Sequence, residues 1–204
     1  MSQKALDLLQ ARFGDVVLES GSQHGDEWAI VKGSAIVEIA SFLKNDAALD
    51  MKLLADITAV DYLHFHADKP LSLDDPQRFA VVYTFASVTT HQRLRIKIKV
   101  GGENMSVPTI TPVYRTANWW ERLVFDFYGV KFEGHPHLRR ILTYDEFKGH
   151  PLTKDYPVHL RQPLTSERNV KDLVRGPGPG KSEKHSPFSQ RPGARPNTRS
   201  DAYD

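Results

Sequence analysis

Residues 93–100 alternate without a break: Arg93, Arg95, Lys97 and Lys99 are charged, while Leu94, Ile96, Ile98 and Val100 are apolar. Successive side chains of a strand point to opposite faces, so the pattern describes a strand with one face on a core and the other in water. A helix, with its period of 3.6, would scatter the same residues around its circumference. Gly101-Gly102 ends the run. The β-branched and aromatic stretch 79–88 precedes it across the polar residues Thr89, Thr90, His91 and Gln92, which predicts an antiparallel hairpin. The cationic face reads as a solvated sheet surface that also discourages edge-to-edge association. No aromatic residue is interleaved with its charges for base stacking, so nucleic acid is not an expected partner, and a nucleic-acid-binding module using this strand and the basic C-terminal tail stays only as a distant alternative.

The hairpin needs a cover for its apolar face, and helices flank it in the chain. Residues 4–13 place Ala5, Leu8, Leu9 and Phe13 at helical spacing, and Gly14 stops them. Ser34 is expected to cap a second helix carrying Ile36, Ile39, Ala40 and Leu43 on one stripe. Residues 16–18, 28–31 and 57–60 read as strands, the last inside a run with Asp56 and Asp61 at its ends. The expected fold is α+β in two layers, with helices packed on a mixed or antiparallel sheet. A further helix and a long extended C-terminal tail follow. The expected organisation is a domain over 1–133, an extended segment over 134–160 and a basic tail over 161–204.

Composition removes several functions. The chain of 204 residues has no cysteine, so iron–sulfur ligation through thiolates, Cys-type zinc sites, thiol chemistry and disulfides are closed to it. No run of ~18 apolar residues suggests a spanning helix, and residues 1–15 lack the pattern of a signal peptide. The protein is therefore expected to stay where it is made. The tail from residue 161 has nine Lys and Arg against five Asp and Glu, with six Pro and four Gly. Too few apolar residues remain to offset its ordering entropy, so alone it is expected to be extended or disordered.

The chemistry concentrates between 117 and 157. Asn118 is expected to cap a helix beginning at Trp119, with Trp120, Leu123, Val124, Phe127 and Tyr128 as an apolar stripe and Gly129 as a left-handed C-cap. Glu121 is read as a first-turn acid favoured by the helix dipole, and Arg122 with Asp126 as an i,i+4 pair. Gly-His-Pro then occurs twice, fifteen residues apart, at Gly134-His135-Pro136 and Gly149-His150-Pro151. Proline biases each preceding His away from helix, so turns in an extended path are expected. His135, His137 and His150 with Asp145 or Glu146 make a conceivable metal set, but sequence fixes no third ligand, and turn histidines bonded to backbone are the favoured reading. Helix-terminal and ion-pair roles are favoured over a proton-handling pair for Glu121 and Asp126. Of Trp119 and Trp120, one is expected to face the core and the other an interface.

Read in order, Asn118-Trp119-Trp120-Glu121-Arg122, Asp126-Phe127-Tyr128-Gly129-Val130, Phe132 and Gly134-His135-Pro136-His137-Leu138-Arg139-Arg140 resemble a known signature. It is that of the thirty-kilodalton subunit, or C subunit, of proton-pumping NADH:quinone oxidoreductase (respiratory complex I). Gly149-His150-Pro151-Leu152, Lys154-Asp155-Tyr156-Pro157 and the earlier run over 54–62 extend the resemblance. Three positions depart from the family's usual pattern: Leu123 replaces an acid, His137 an Asp or Asn, and Thr153 an Arg. The resemblance implies a non-redox structural subunit of the peripheral arm, with no catalytic residue, no metal and no cofactor in this chain. The complex it belongs to would use FMN, iron–sulfur clusters, NAD and quinone to couple electron transfer to proton translocation. It implies packing against the quinone-site subunit, the D subunit, and other arm subunits rather than a second copy of itself. It also implies a peripheral place on the cytoplasmic side of a bacterial inner membrane, touching the membrane only through the complex. The residues it singles out are Trp119, Glu121, Arg122, Asp126, Gly129, His135, Pro136, Arg139, Arg140, His150, Pro151, Lys154 and Asp155. Arg139 and Arg140 are expected to pair with carboxylates of the body or of a neighbour, and the proximal tail to order on a partner. A related membrane-bound hydrogenase, F420-type or photosynthetic complex is the alternative home for such a subunit.

Overall fold

The computed structural model describes residues 3–63, 65, 71–102, 105–159 and 162. Met1–Gln162 makes one compact unit, and the fold below is that unit's. The tail expected over 161–204 lies, but for Gln162, outside the described residues.

The hairpin is the centre of the sheet. β4 (Phe79–Ala86) and β5 (Arg93–Val100) run antiparallel in the register Val81↔Ile98, Tyr83↔Ile96 and Phe85↔Leu94. All six of these side chains are buried, whereas Arg93, Arg95 and Lys99 are exposed, as the alternation requires. β3 (Leu53–Asp61) pairs antiparallel with β4, and β1 (Val17–Gln23) with β2 (Asp26–Val31). β2 joins β5 in parallel, giving a mixed sheet of order β1-β2-β5-β4-β3. β1 is longer than residues 16–18 because the tight His24-Gly25 turn, both at positive φ, folds it back on β2.

Helices cover one face. α1 (Gln3–Phe13) buries Ala5, Leu6 and Leu9, and α2 (Ile36–Asn45) buries Ile36, Ile39, Ala40 and Leu43. Both stripes join the inward residues of the strands in one core, so the two-layer α+β expectation holds. Ser34 does not cap α2: a 3-10 turn over Gly33–Ala35 feeds the helix, whose N-cap is Ala35 without a side-chain bond. The turn satisfies through backbone what a cap would otherwise supply.

β6 (Ser106–Pro108), α3 (Ala117–Tyr128) and β7 (Lys131–Glu133) form a small crossover, β6 and β7 pairing in parallel. The helix starts two residues before Trp119, with Thr116 in helical conformation as N-cap, so Asn118 lies inside it and is no cap. Gly129 ends it at φ +82°, donating its N–H to Phe125 O at 3.0 Å.

Candidate subunit-docking segment

α3 buries three ionisable side chains, Glu121, Arg122 and Asp126. Burying charge is expensive unless each group is paired and hydrogen-bonded, and here each one ties a loop to the domain. Glu121 is not a first-turn acid. It accepts the Ile110 N–H at 2.8 Å and the Thr109 hydroxyl at 2.5 Å, fastening the loop between β6 and α3. Burial raises its carboxyl from 4.5 to about 7, against the pull of those two donors.

Asp126 faces the segment after β7. Its Oδ2 accepts the backbone N–H groups of Ile141, Leu142 and Thr143 at 3.1, 2.8 and 2.9 Å. Its Oδ1 accepts Arg140 Nη1 at 3.0 Å and the Thr143 hydroxyl. Burial alone pushes this carboxyl up, but the Thr143 hydroxyl and the three N–H groups outweigh it and hold Asp126 at about 2. Among the described residues no ion pair joins Arg122 to Asp126, so the i,i+4 reading fails. Arg122 instead donates to the carbonyls of Arg139 and Arg140, both at 3.2 Å, with its guanidinium 5.2 Å from the Trp119 ring centroid. Arg140 also donates to Gly149 O at 3.0 Å, closing the path between the two Gly-His-Pro turns. Its pairing is therefore with the body of this chain, while the Arg139 side chain is exposed.

The histidines serve turns. The His135 Nδ1 accepts the His137 N–H at 3.0 Å, so its Nε2 carries the proton, donated to Asn118 O at 3.2 Å. Burial lowers the imidazole's pKa, and nearby Arg122 and His137 add to that against the Asn118 carbonyl. His150 donates from Nδ1 to Asp126 O at 2.9 Å, and its ring lies so close over Gly129 that a Cβ there would come within 2.7 Å. Gly129 is thus required twice, for its positive φ and for this contact. Both nitrogens of His135 are engaged, and among the described residues no group of three or more His, Asp or Glu converges as metal ligands. Pro136 is exposed and Pro151 half-buried, each holding its His in the turn.

A further buried carboxylate anchors the far end, one that the sequence marks only as an acid at the end of a strand and not as a candidate site residue. Asp61, last residue of β3, accepts Arg78 Nε and Nη2 at 3.1 and 2.8 Å, the Leu63 N–H at 3.0 Å and the Lys154 N–H at 2.8 Å. Burial raises its carboxyl, but Arg78 and the two N–H groups prevail and hold it below the usual range. The Arg78 guanidinium also reaches Asp155, whose side chain is half exposed. The strand register puts Asp61 opposite Phe79, next to Arg78. No short-range spacing announces that pair. Leu152 N–H donates to Phe127 O at 3.1 Å, and Gln162 bridges Lys148 and Tyr156.

The segment is therefore folded back on its own domain and held by its backbone, while several tips point out. Trp119, Leu142, Leu152 and Val158 are 62, 67, 48 and 92 % exposed, and Arg139, His137 and Lys154 are exposed beside them in sequence. Trp120 packs against the core, while Trp119 is exposed.

Residues 29–162 match the family described as the thirty-kilodalton subunit of respiratory-chain NADH dehydrogenase. The chain belongs to that family. The C subunit of NADH-quinone oxidoreductase from Trichlorobacter lovleyi is 43 % identical over 157 residues, covering 77 % of this chain and 90 % of that protein. The corresponding subunit from Rhodobacter capsulatus is 38 % identical over 183 residues, 86 % of each. Among solved structures, a trypsin-resistant fragment of Nqo5 is 30 % identical at a TM-score of 0.56, spanning 68 % of this chain and all of the fragment. An archaeal membrane-bound sulfane sulfur reductase complex supplies a chain with TM-score 0.61 but 20 % identity, a likeness of fold alone. In this thirty-kilodalton-subunit chain Leu123 is half-buried on α3, and Thr153 donates its hydroxyl to His150 O at 2.9 Å inside the second Gly-His-Pro turn. Among the described residues no helix is long and apolar enough to cross a membrane.

Proposed function

We propose that this chain is the structural thirty-kilodalton subunit of a bacterial-type NADH:quinone oxidoreductase, contributing no catalytic residue, metal or cofactor of its own to the electron path. Flavin, iron–sulfur clusters, NAD and quinone belong to its neighbours. It docks by the exposed tips of α3 and of the 134–159 segment onto the quinone-site subunit, on the cytoplasmic face of the inner membrane. What carries the reading is the family match together with an unusual division of labour in that segment. Its polar groups are spent inward on Asp126 and Asp61, while Trp119, Leu142 and Leu152 are left outward. Aromatic and aliphatic anchors on a rigid support are what a stable protein interface uses.

Deletion of the gene is expected to abolish NADH:quinone activity in membranes, with restoration by the intact chain. The chain is expected to co-purify with the quinone-site subunit from solubilised membranes. Undiminished activity in the deletion strain overturns the proposal. The relatives at 38 and 43 % identity favour the quinone-reducing complex over a hydrogenase-type one.

A further inference from the structure

The outer face of the sheet takes no part in the docking segment, and one end of it is a built cleft of about 190 Å³. β2 and β5 bring Trp28 and Ile30 beside Lys97, in the register Trp28↔Arg95 and Ile30↔Lys97. The Trp28 indole lies against Gly21 of β1, where a Cβ would come within 2.8 Å of the ring. On this platform sits Lys97, its Nζ 4.4 Å from the ring centroid. Two residues on, Lys99 Nζ lies 5.9 Å from the centroid of Tyr62. Ile30 and Ala80, 9 and 1 % exposed, give the cleft apolar walls.

The charges around it are unbalanced. Arg95 is paired with Asp26 at 2.9 Å, but among the described residues no carboxylate lies within ion-pair distance of Lys97 or Lys99. Asp56 shares the face on β3, in line with Thr84 and Arg95 rather than with the lysines. Burial, then the repulsion of Arg95 and Lys99, lowers the pKa of Lys97, with Glu19 of β1 opposing from the rim. An aromatic ring under each ammonium also restricts it, which lowers the ordering cost of binding.

We infer that this cleft receives an acidic segment of a neighbouring subunit, one carboxylate set between Lys97 and Lys99 with an apolar residue beside it against Ile30 and Ala80. The inference rests on the reading of the chain as one subunit of a larger assembly. Single-stranded nucleic acid fits the cleft less well, because Lys97 occupies the Trp28 face on which a base would stack.

The test is zero-length carbodiimide coupling of the solubilised complex, followed by peptide mass spectrometry. Lys97 or Lys99 is expected to form an amide with an Asp or Glu of another polypeptide, and Lys97→Gln with Lys99→Gln is expected to remove that product. Acylation of both lysines by an amine reagent is expected to slow about tenfold or more in the complex relative to the free chain. Products joining the lysines only to this chain's own acids, its tail included, overturn the inference. So do equal acylation rates in the two states, or protection that nuclease abolishes. If the chain co-purifies with the complex and the lysines are open, the cleft assignment alone fails. If the chain is absent from the complex, the subunit reading fails with it.

Discussion

Replacing Asp126 by Asn tests whether one carboxylate holds the segment after β7 to the domain. The substituted amide would keep one carbonyl oxygen for the three N–H groups of residues 141–143, now as neutral acceptor. It would turn an NH2 toward Arg140 Nη1, which lies 3.0 Å from the present carboxylate, and a guanidinium cannot accept. Arg140 keeps Gly149 O and the Thr143 hydroxyl but loses its counter-charge. Breaking a buried pair costs ~3–5 kcal/mol, and weakening three charge-assisted bonds keeps the total near the top of that range. For a unit of this size, roughly 10 °C or more in Tm is expected. Arg140→Met should cost less, ~1–2 kcal/mol, because Asp126 retains four donors. The assay is urea unfolding of the full chain, paired with amide exchange. Exchange at 141–143 should accelerate together in the Asn variant while β5 amides slow or quicken only with global stability. The carboxyl's value near 2 sets the acid limb. A depressed acid stabilises the fold above its unfolded value, and that contribution is lost as pH falls from about 4 through about 2, so the Asn variant should lack this step. Unchanged exchange at 141–143, or a larger loss in Arg140→Met than in Asp126→Asn, would refute the reasoning.

Arg78→Met should destabilise the isolated chain by ~3 kcal/mol, since it removes the counter-charge of the fully buried Asp61 and leaves it the Leu63 and Lys154 N–H groups, whereas Asp155→Asn should cost under ~1 kcal/mol because that carboxylate is half exposed; paired urea midpoints check the order. Glu121→Gln should change the pH dependence between 5 and 8. A carboxyl raised from 4.5 to about 7 makes the folded state bind more protons, so the wild-type chain loses up to roughly 3 kcal/mol, relative to the Gln variant, as pH climbs through that window. Melting curves at pH 5 and 8 for both chains read the difference directly. Trp119→Ala should cost the isolated chain under ~1 kcal/mol, the worth of an exposed contact with Arg122. In the assembled complex it should cost ~2 kcal/mol or more, read as lost retention of the chain during purification.

The alternation of residues 93–100 made the hairpin and its buried face legible, because period two has one structural meaning and the opposing strand was equally apolar. Helix ends were less legible. Ser34 and Asn118 have the right chemistry for N-caps, yet the chain enters both helices through Ala35 and Thr116 without a side-chain bond. Gly129 was legible because a left-handed C-cap and a Gly at the end of an apolar stripe go together. The partners of the charged residues were not. Asp126 is 14 to 17 residues from the groups it holds, and Asp61 is 17 from Arg78 and 93 from Lys154. Local spacing favoured the nearer Arg122, and only the tertiary path decides against it.

That path changes what the signature means physically. A row of Gly, Pro, His and Arg without strand or helix invites the idea of a strap that takes its shape from a partner. Here, instead, its hydrogen bonds close on the domain, three backbone N–H groups on Asp126, one on Asp61 and two carbonyls on Arg122, and within the segment the Gly149 carbonyl closes on Arg140. A loop in that state has little ordering entropy left to lose, so a neighbour docking on its apolar tips, as proposed above, would bind at lower cost. On the docking proposed above, the buried carboxylates would act on assembly through preorganisation rather than through contact. The two effects separate experimentally. Trp119→Ala should weaken the complex while sparing the free chain. Asp126→Asn should loosen 141–143 in the free chain, and the loss in assembly should follow from that loosening, recovering in conditions that stabilise the native state. An Asp126→Asn chain that assembles poorly while its segment remains protected from exchange would mean that Asp126 meets the partner itself, and the preorganisation argument would fail.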